Sequence, residues 1–220
     1  MTRHFAVVGS GSIGIGWAIV FARAGNRVKV YDLEQSRLDI FTQGVNERLQ
    51  VLQEEGLLNE GADIVCSRIS TSLDLAESLE GAEYIQECAP EQLEIKKALF
   101  ATLEALASNS AIIASSSSAL KISSFTSDLS TRTRCLVVHP GNPPYLLPVV
   151  EVVPASFTSG DTVARAQEIL RELNMSPILV MREIEGFVFN RLQGAMMREA
   201  YALVEEGVVE GEQVVWMLLL

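Results

Sequence analysis

The chain has 220 residues, is 48% hydrophobic and 20% charged, and carries a formal net charge of −11, so it can bury a core without disulfide or metal staples. The acidity argues against nucleic acid and against an anionic membrane surface as partners, because both call for basic faces. Three cysteines in apolar runs, Cys66, Cys88 and Cys135, read as buried reduced thiols of a cytoplasmic protein, and neither a secretory leader nor the ~18 apolar residues that span a bilayer are visible.

Strand and helix patterns then alternate. Residues 4–8 read as a strand, 12–24 as a helix with Gly25 as its C-terminal cap, and 27–32 as a second strand. A long polar-faced helix is expected over 35–58, a strand over 63–69, a short helix near 73–79 and a strand over 83–87. Next come a helix over 92–106, strands over 111–115, 134–139 and 149–153, a helix over 161–173 and a last strand over 177–181. A hinge is expected at 182–186, and from Phe187 onward the pattern is helical. Short apolar strands alternating with helices predict an α/β fold. The expectation is a Rossmann-type doubly wound, mostly parallel sheet over residues 1–185, followed by the start of an all-α region over 186–220. That stretch is too short for a core of its own, and its apolar tail, 214–220, is a candidate contact surface.

Gly9-Ser10-Gly11-Ser12-Ile13-Gly14 fits G-x-G-x-x-G between the first strand and the first helix, the context in which this motif binds a dinucleotide. Gly9 makes the tight turn, Gly11 admits the pyrophosphate and Gly14 lets helix and strand pack closely. Ser12 and Ile13 open the helix, whose free N–H groups and partial positive charge suit phosphate. Asp32 ends the second strand, 23 positions after Gly9. A carboxylate there accepts ribose hydroxyls and repels a 2′-phosphate, which favours NAD over NADP. The nearest downstream arginine, Arg37, makes no obvious phosphate clamp.

Of the two histidines, His4 starts a strand and reads as structural or exposed. His139 ends the apolar strand LVVH, where residues of a parallel sheet face the ligand crevice. An imidazole there can carry a proton to or from a hydroxyl. Glu151, 12 residues on, lies in the apolar run VVEVV. Either residues 143–148 fold the chain back so that Glu151 bonds His139, or Glu151 points outward on an edge strand; spacing alone leaves both open.

Taken together, the glycine motif, SSSSALKIS, HPGNPPYLLPVVEVVP and GFVFNRL resemble the 3-hydroxyacyl-CoA dehydrogenase superfamily. HPGNPPY, the serine run and the NRLQ to LVEEG stretch resemble most its lambda-crystallin branch, also known as L-gulonate 3-dehydrogenase. The likeness runs over residues 4–209. It implies that His139 is the general acid/base with Glu151 as partner. It also implies that Ser118 and Asn142 address the substrate oxygen, that Asn190 is another asparagine facing the site, and that Glu91 and Lys96 line the nicotinamide region; by itself, Lys96 also reads as part of a solvated helix face. The implied activity is NAD-dependent interconversion of a 3-hydroxyl and a 3-oxo group, on a small hydroxy acid or a hydroxyacyl-CoA, with a homodimer in the full-length form. No metal site is expected. Relatives acting on acyl-CoA usually carry SNTSS and HFFNP, whereas here Ser116 replaces the asparagine and Pro140-Gly141 the two phenylalanines. These departures favour a smaller, more polar substrate such as L-gulonate, with carnitine as another candidate. A catalytically inactive NAD-binding protein, structural like a crystallin or devoted to interaction, is the alternative. Family members also continue for roughly 100 further residues of helical domain, beyond what one compact sheet domain holds.

Overall fold

A computed structural model describes residues 2–218. In chain order, β1 (His4–Val8) leads through α1 (Ser12–Arg23) to β2 (Arg27–Tyr31). Then follow α2 (Gln35–Glu54), α3 (Ala62–Cys66), β3 (Ile69–Ser72), α4 (Leu75–Leu79) and β4 (Tyr84–Glu87). After α5 (Leu93–Leu106) and β5 (Ile112–Ser115) come α6 (Ser123–Thr126) and β6 (Cys135–Pro140). The chain continues with β7 (Val149–Pro154), α7 (Gly160–Glu172), β8 (Ser176–Leu179), α8 (Phe189–Glu205) and α9 (Gly211–Leu218).

The strands form one sheet in the order β3-β2-β1-β4-β5-β6-β7-β8. Every pairing is parallel except β6 with β7. The fold is therefore the Rossmann-type α/β arrangement read from the sequence. Strand order reverses between β1 and β4, which opens a crevice at the carboxyl ends of these strands.

Period-two alternation explains why β1 is apolar throughout. Phe5 and Val7 enter the core with α1, α2 and α7, while Ala6 and Val8 enter the one beneath α5. On the first face Phe5 stacks on Phe21 at 4.3 Å and Trp17 on Phe21 at 5.3 Å, each contact contributing about 1 kcal/mol beyond area burial.

Three local expectations are corrected. The helix expected to Leu58 stops at Glu54, and Leu57 N–H returns to the Leu52 carbonyl around Gly56. The strand expected over 63–69 is instead α3 followed by β3. Ala62 and Val65, three apart, bury one helical side, and Gln53 Oε1 accepts the Ala62 N–H; a short apolar run cannot tell the two periods apart. Cys66 and Cys88 are half-buried rather than buried, whereas Cys135 is buried; all three thiols are free. Of the expected apolar tail, Val214 is buried and Val215 exposed, while residues 219–220 and the side chains of 216–218 lie outside the described residues. Among the described residues, no helix is long and apolar enough to cross a membrane.

The proline-rich link between β6 and β7 decides the site. Leu146 and Leu147 donate to the Pro143 carbonyl, Gly141 N–H bonds the Val149 carbonyl, and Pro144 packs where a β-carbon on Gly16 of α1 would stand. The chain thus doubles back as a hairpin. β8 pairs on the far side of β7, so β7 is interior and Glu151 is not on an edge.

Candidate active site

The glycine turn lies at the carboxyl end of β1, where the crevice opens. Gly9 has φ 110°, and a β-carbon there would sit 2.7 Å from the Cys88 carbonyl group; only glycine fits. A β-carbon on Gly14 would meet the Gly9 carbonyl oxygen at 2.0 Å, whereas one on Gly11 would meet nothing within 4 Å. Gly11 therefore borders open space. The first main-chain bond of α1 runs from Ile15 N–H to Gly11 C=O, which leaves the amides of Ser12, Ile13 and Gly14 without partners inside the helix.

Asp32 accepts three hydrogen bonds, from Ser10 N–H at 2.9 Å, Ser10 Oγ at 2.6 Å and Leu33 N–H at 2.8 Å. These fix the carboxylate at the mouth of a cavity of about 650 Å³ lined by Gly9, Asp32, Arg37, Leu75, Pro90 and Leu99. Arg37 Nε lies 3.9 Å from Asp32 and 3.5 Å from Glu34, so its charge is partly answered by these carboxylates. Open space beside Gly11, free helix amides and a held acid match a dinucleotide's pyrophosphate and ribose. A larger cavity of about 780 Å³ lies at the amino ends of β1 and β2, lined by His4, Arg27 and Lys29, and holds none of these features.

In the β6–β7 ladder His139 and Glu151 are direct partners. His139 Nδ1 lies 2.8 Å from Glu151 Oε2, with the residues 7% and 3% exposed. Glu151 Oε1 accepts the main-chain N–H of Val188 at 2.8 Å and of Phe189 at 2.9 Å, at the start of α8. Burial pushes the Glu151 carboxyl up, but the His139 bond and these two amides outweigh it and hold it below its ordinary value. A carboxylate kept ionised on Nδ1 leaves Nε2 as the imidazole nitrogen free to exchange a proton. Phe187 and Phe189 wall the imidazole, their ring centroids 5.6 and 6.2 Å away.

The serine run follows β5. Glu91 Oε1 accepts the Ser117 hydroxyl at 2.5 Å and the N–H groups of Ser118, Ala119 and Leu120, each at 3.1 Å. Burial raises the Glu91 carboxyl, yet these donors and Lys96 carry it below its ordinary value. Asn190 Nδ2, in the first turn of α8, donates to the Ser118 carbonyl at 2.7 Å. Ser118, Asn190, Glu151 and His139 are thus tied through the start of one helix. Asn142 is exposed three residues beyond His139, with no side-chain hydrogen bond given to it among the described residues.

Lys96 is a correction. It does not lie on a solvated helix face: it is 1% exposed, with Nζ 2.9 and 2.8 Å from the two oxygens of Glu87. Glu87 also accepts the Ser115 hydroxyl at 2.5 Å and Ala89 N–H at 2.7 Å. Sequence reading missed Glu87, although an acid closing a strand flanked on both sides has to be paired. It also missed Ser10, which clamps Asp32, and the place of Ser116. That hydroxyl accepts Trp17 Nε1 and Gln86 Nε2 and lies 3.3 Å from Cys88 Sγ, so it is engaged within the fold. Burial pushes the Cys88 thiol up to about 12, against the pull of Ser116, which keeps it protonated.

With this geometry in place, comparison with known proteins is specific. The family model "3-hydroxyacyl-CoA dehydrogenase, NAD binding domain" matches residues 4–184. A lambda-crystallin homolog from Bos taurus is 46% identical over 206 residues, covering 93% of this chain and 64% of its own length. An L-carnitine dehydrogenase from Pseudomonas sp is 39% identical over 206 residues, covering 94% of this chain and 63% of its own. The crystal structure of Escherichia coli 3-hydroxybutyryl-CoA dehydrogenase superposes with a TM-score of 0.88 at 28% identity, over 95% of this chain and 44% of that one. The chain thus spans just under two-thirds of the curated relatives it matches.

Proposed function

The chain belongs to the 3-hydroxyacyl-CoA dehydrogenase family, on its lambda-crystallin side, and from that premise we propose that it acts in an NAD-dependent dehydrogenase that interconverts the 3-hydroxyl and 3-oxo groups of a small L-3-hydroxy acid. The observation that carries this reading is the buried 2.8 Å bond between His139 Nδ1 and Glu151, in a sheet whose crevice also holds the glycine turn. NAD bound at Gly9, Gly11, Ser12, Ile13, Gly14 and Asp32 supplies the hydride-accepting ring. In the oxidising direction His139 Nε2 takes the proton of the substrate hydroxyl, and Glu151 stabilises the resulting imidazolium; in the reducing direction the same nitrogen returns it. Ser118, Asn142 and Asn190 are proposed to donate to the substrate oxygen where negative charge develops. Asn190 spends one N–H on the Ser118 carbonyl, so its second N–H and its carbonyl remain for substrate. Glu91 holds the serine loop that presents Ser118, and Lys96, itself held by Glu87, lies 3.6 Å from the Glu91 carboxylate.

Pro140-Gly141, in place of two bulky aromatics, supports a compact polar substrate of the L-gulonate kind over a CoA thioester. Residues 1–185 are proposed as the NAD-binding domain and 186–220 as the start of a helical substrate and dimer region. In its support, Leu192 and Tyr201 on α8 are each 66% exposed, apolar surface that suits a covering partner. A cytoplasmic homodimer completes the proposal. The test is an NAD-reduction screen over L-gulonate, L-3-hydroxybutyrate, carnitine and 3-hydroxybutyryl-CoA, with NADH binding followed by fluorescence. Turnover highest on L-gulonate is expected. NADH binding without turnover on any of the four would overturn the reading in favour of a nucleotide-binding structural or interaction protein.

A further inference from the structure

The start of α8 is built around an unusual residue. Gly186 and Phe187 both have left-handed backbones, φ 69° and 48°. Glycine adopts that conformation freely, but a side chain as bulky as phenylalanine does so only when its surroundings force it, and such strain collects at functional sites. Phe187 is 0% exposed and packs in the core cluster that contains Ile122, Phe125 and Val153. Its ring centroid lies 5.6 Å from that of His139, and the next two amides, of Val188 and Phe189, end on Glu151 Oε1 at 2.8 and 2.9 Å.

We propose that Phe187 is a positioning residue of the His139–Glu151 pair: its left-handed turn aims two main-chain amides at Glu151 while its ring keeps water from the imidazole. An α-helical backbone at 187 would carry the 188 and 189 N–H groups elsewhere. Glu151 would then lose two of its three hydrogen bonds and be free to turn away from Nδ1. The strained turn holds the carboxylate in one orientation and the imidazole in one tautomer. This deepens the proton-transfer role proposed above and rests on it for its kinetic consequence.

Imidazole ¹⁵N NMR tests the idea without substrate. The chain has two histidines, and His4→Gln assigns the His139 signals. The wild-type full chain is expected to show neutral His139 in the Nδ1–H tautomer alone. Phe187→Gly keeps the turn and removes the ring; Phe187→Ala adds the backbone penalty. Phe187→Ala is expected to show the Nε2–H tautomer as well, whereas Phe187→Gly, which keeps the two amides on Glu151, holds Nδ1–H; in Phe187→Ala the Val188 and Phe189 amides exchange with solvent ~10-fold faster than in Phe187→Gly. If the small variants do not fold, Phe187→Leu, which fills most of the volume, is expected to show the second tautomer at lower population. Where turnover is measured, kcat falls ~10-fold while the NADH Kd stays within about twofold. A folded Phe187→Ala or Phe187→Leu that loses thermal stability yet keeps a single Nδ1–H tautomer would reduce Phe187 to a core residue and overturn the proposal. Absence of turnover in the wild type overturns the dehydrogenase reading instead and leaves the tautomer result to stand by itself.

Discussion

Glu151 is where burial and hydrogen bonding compete most sharply. A carboxylate 3% exposed carries a desolvation penalty that would raise its pKa, and three donors reverse the sign. Its folded value is therefore below its unfolded value near 4.5. The stability this difference contributes is present above the unfolded pKa and is lost as pH falls through the folded one. Denaturant unfolding between pH 6 and the acid range should show wild type losing more stability on acidification than Glu151→Gln, although the variant starts less stable; equal acid sensitivity would mean that the bonds to His139, Val188 and Phe189 do not hold the ionised form. The pairing itself was only half legible in the sequence. LVVH and VVEVV announce two strands with polar residues at chosen places, but register is set by the turn between them. What puts His139 opposite Glu151 is the bond pattern of residues 141–149, in a link whose Pro144 packs against Gly16 of α1.

Among elements, the β1–α1 unit is the most legible, because each glycine answers a local demand. Gly14 is needed by the protein itself, since a β-carbon would run into the Gly9 carbonyl, while Gly11 faces open space. The two alanine variants should therefore part company. Gly14→Ala is expected to cost about 1–3 kcal/mol of stability through overpacking and to weaken NADH binding as a consequence. Gly11→Ala is expected to unfold like wild type yet bind NADH at least ~10-fold more weakly, because its β-carbon occupies the phosphate approach. Calorimetry paired with fluorescence titration separates them; Gly11→Ala with full NADH affinity would remove that turn from the cofactor site. By contrast, α3 was misread as strand. Four or five apolar residues carry too little period to choose, and burial of Ala62 and Val65 together is a property of the packed fold.

At the scale of the molecule, the Glu87–Lys96 pair joins β4 to α5 in the middle of the structure, with both side chains at most 1% exposed. Sequence reading saw a lysine on an amphipathic helix and could not see the carboxylate waiting on the neighbouring strand. Lys96→Met alone strands a buried carboxylate and is expected to lower unfolding free energy by about 3–5 kcal/mol. The double variant Glu87→Gln/Lys96→Met should recover a large part of that loss. Urea unfolding of the set checks it, and additive losses would show that the two charges do not depend on each other. The glycine turn after β1 and His139 near the end of β6 both lie toward the carboxyl ends of parallel strands of one sheet, and the proposed function requires them to work as a pair. The most direct measurement is NADH binding alongside single-turnover hydride transfer in wild type and in His139→Gln. We predict NADH affinity unchanged within about twofold and hydride transfer slowed by about two to four orders of magnitude. Transfer at the wild-type rate in His139→Gln would contradict the account.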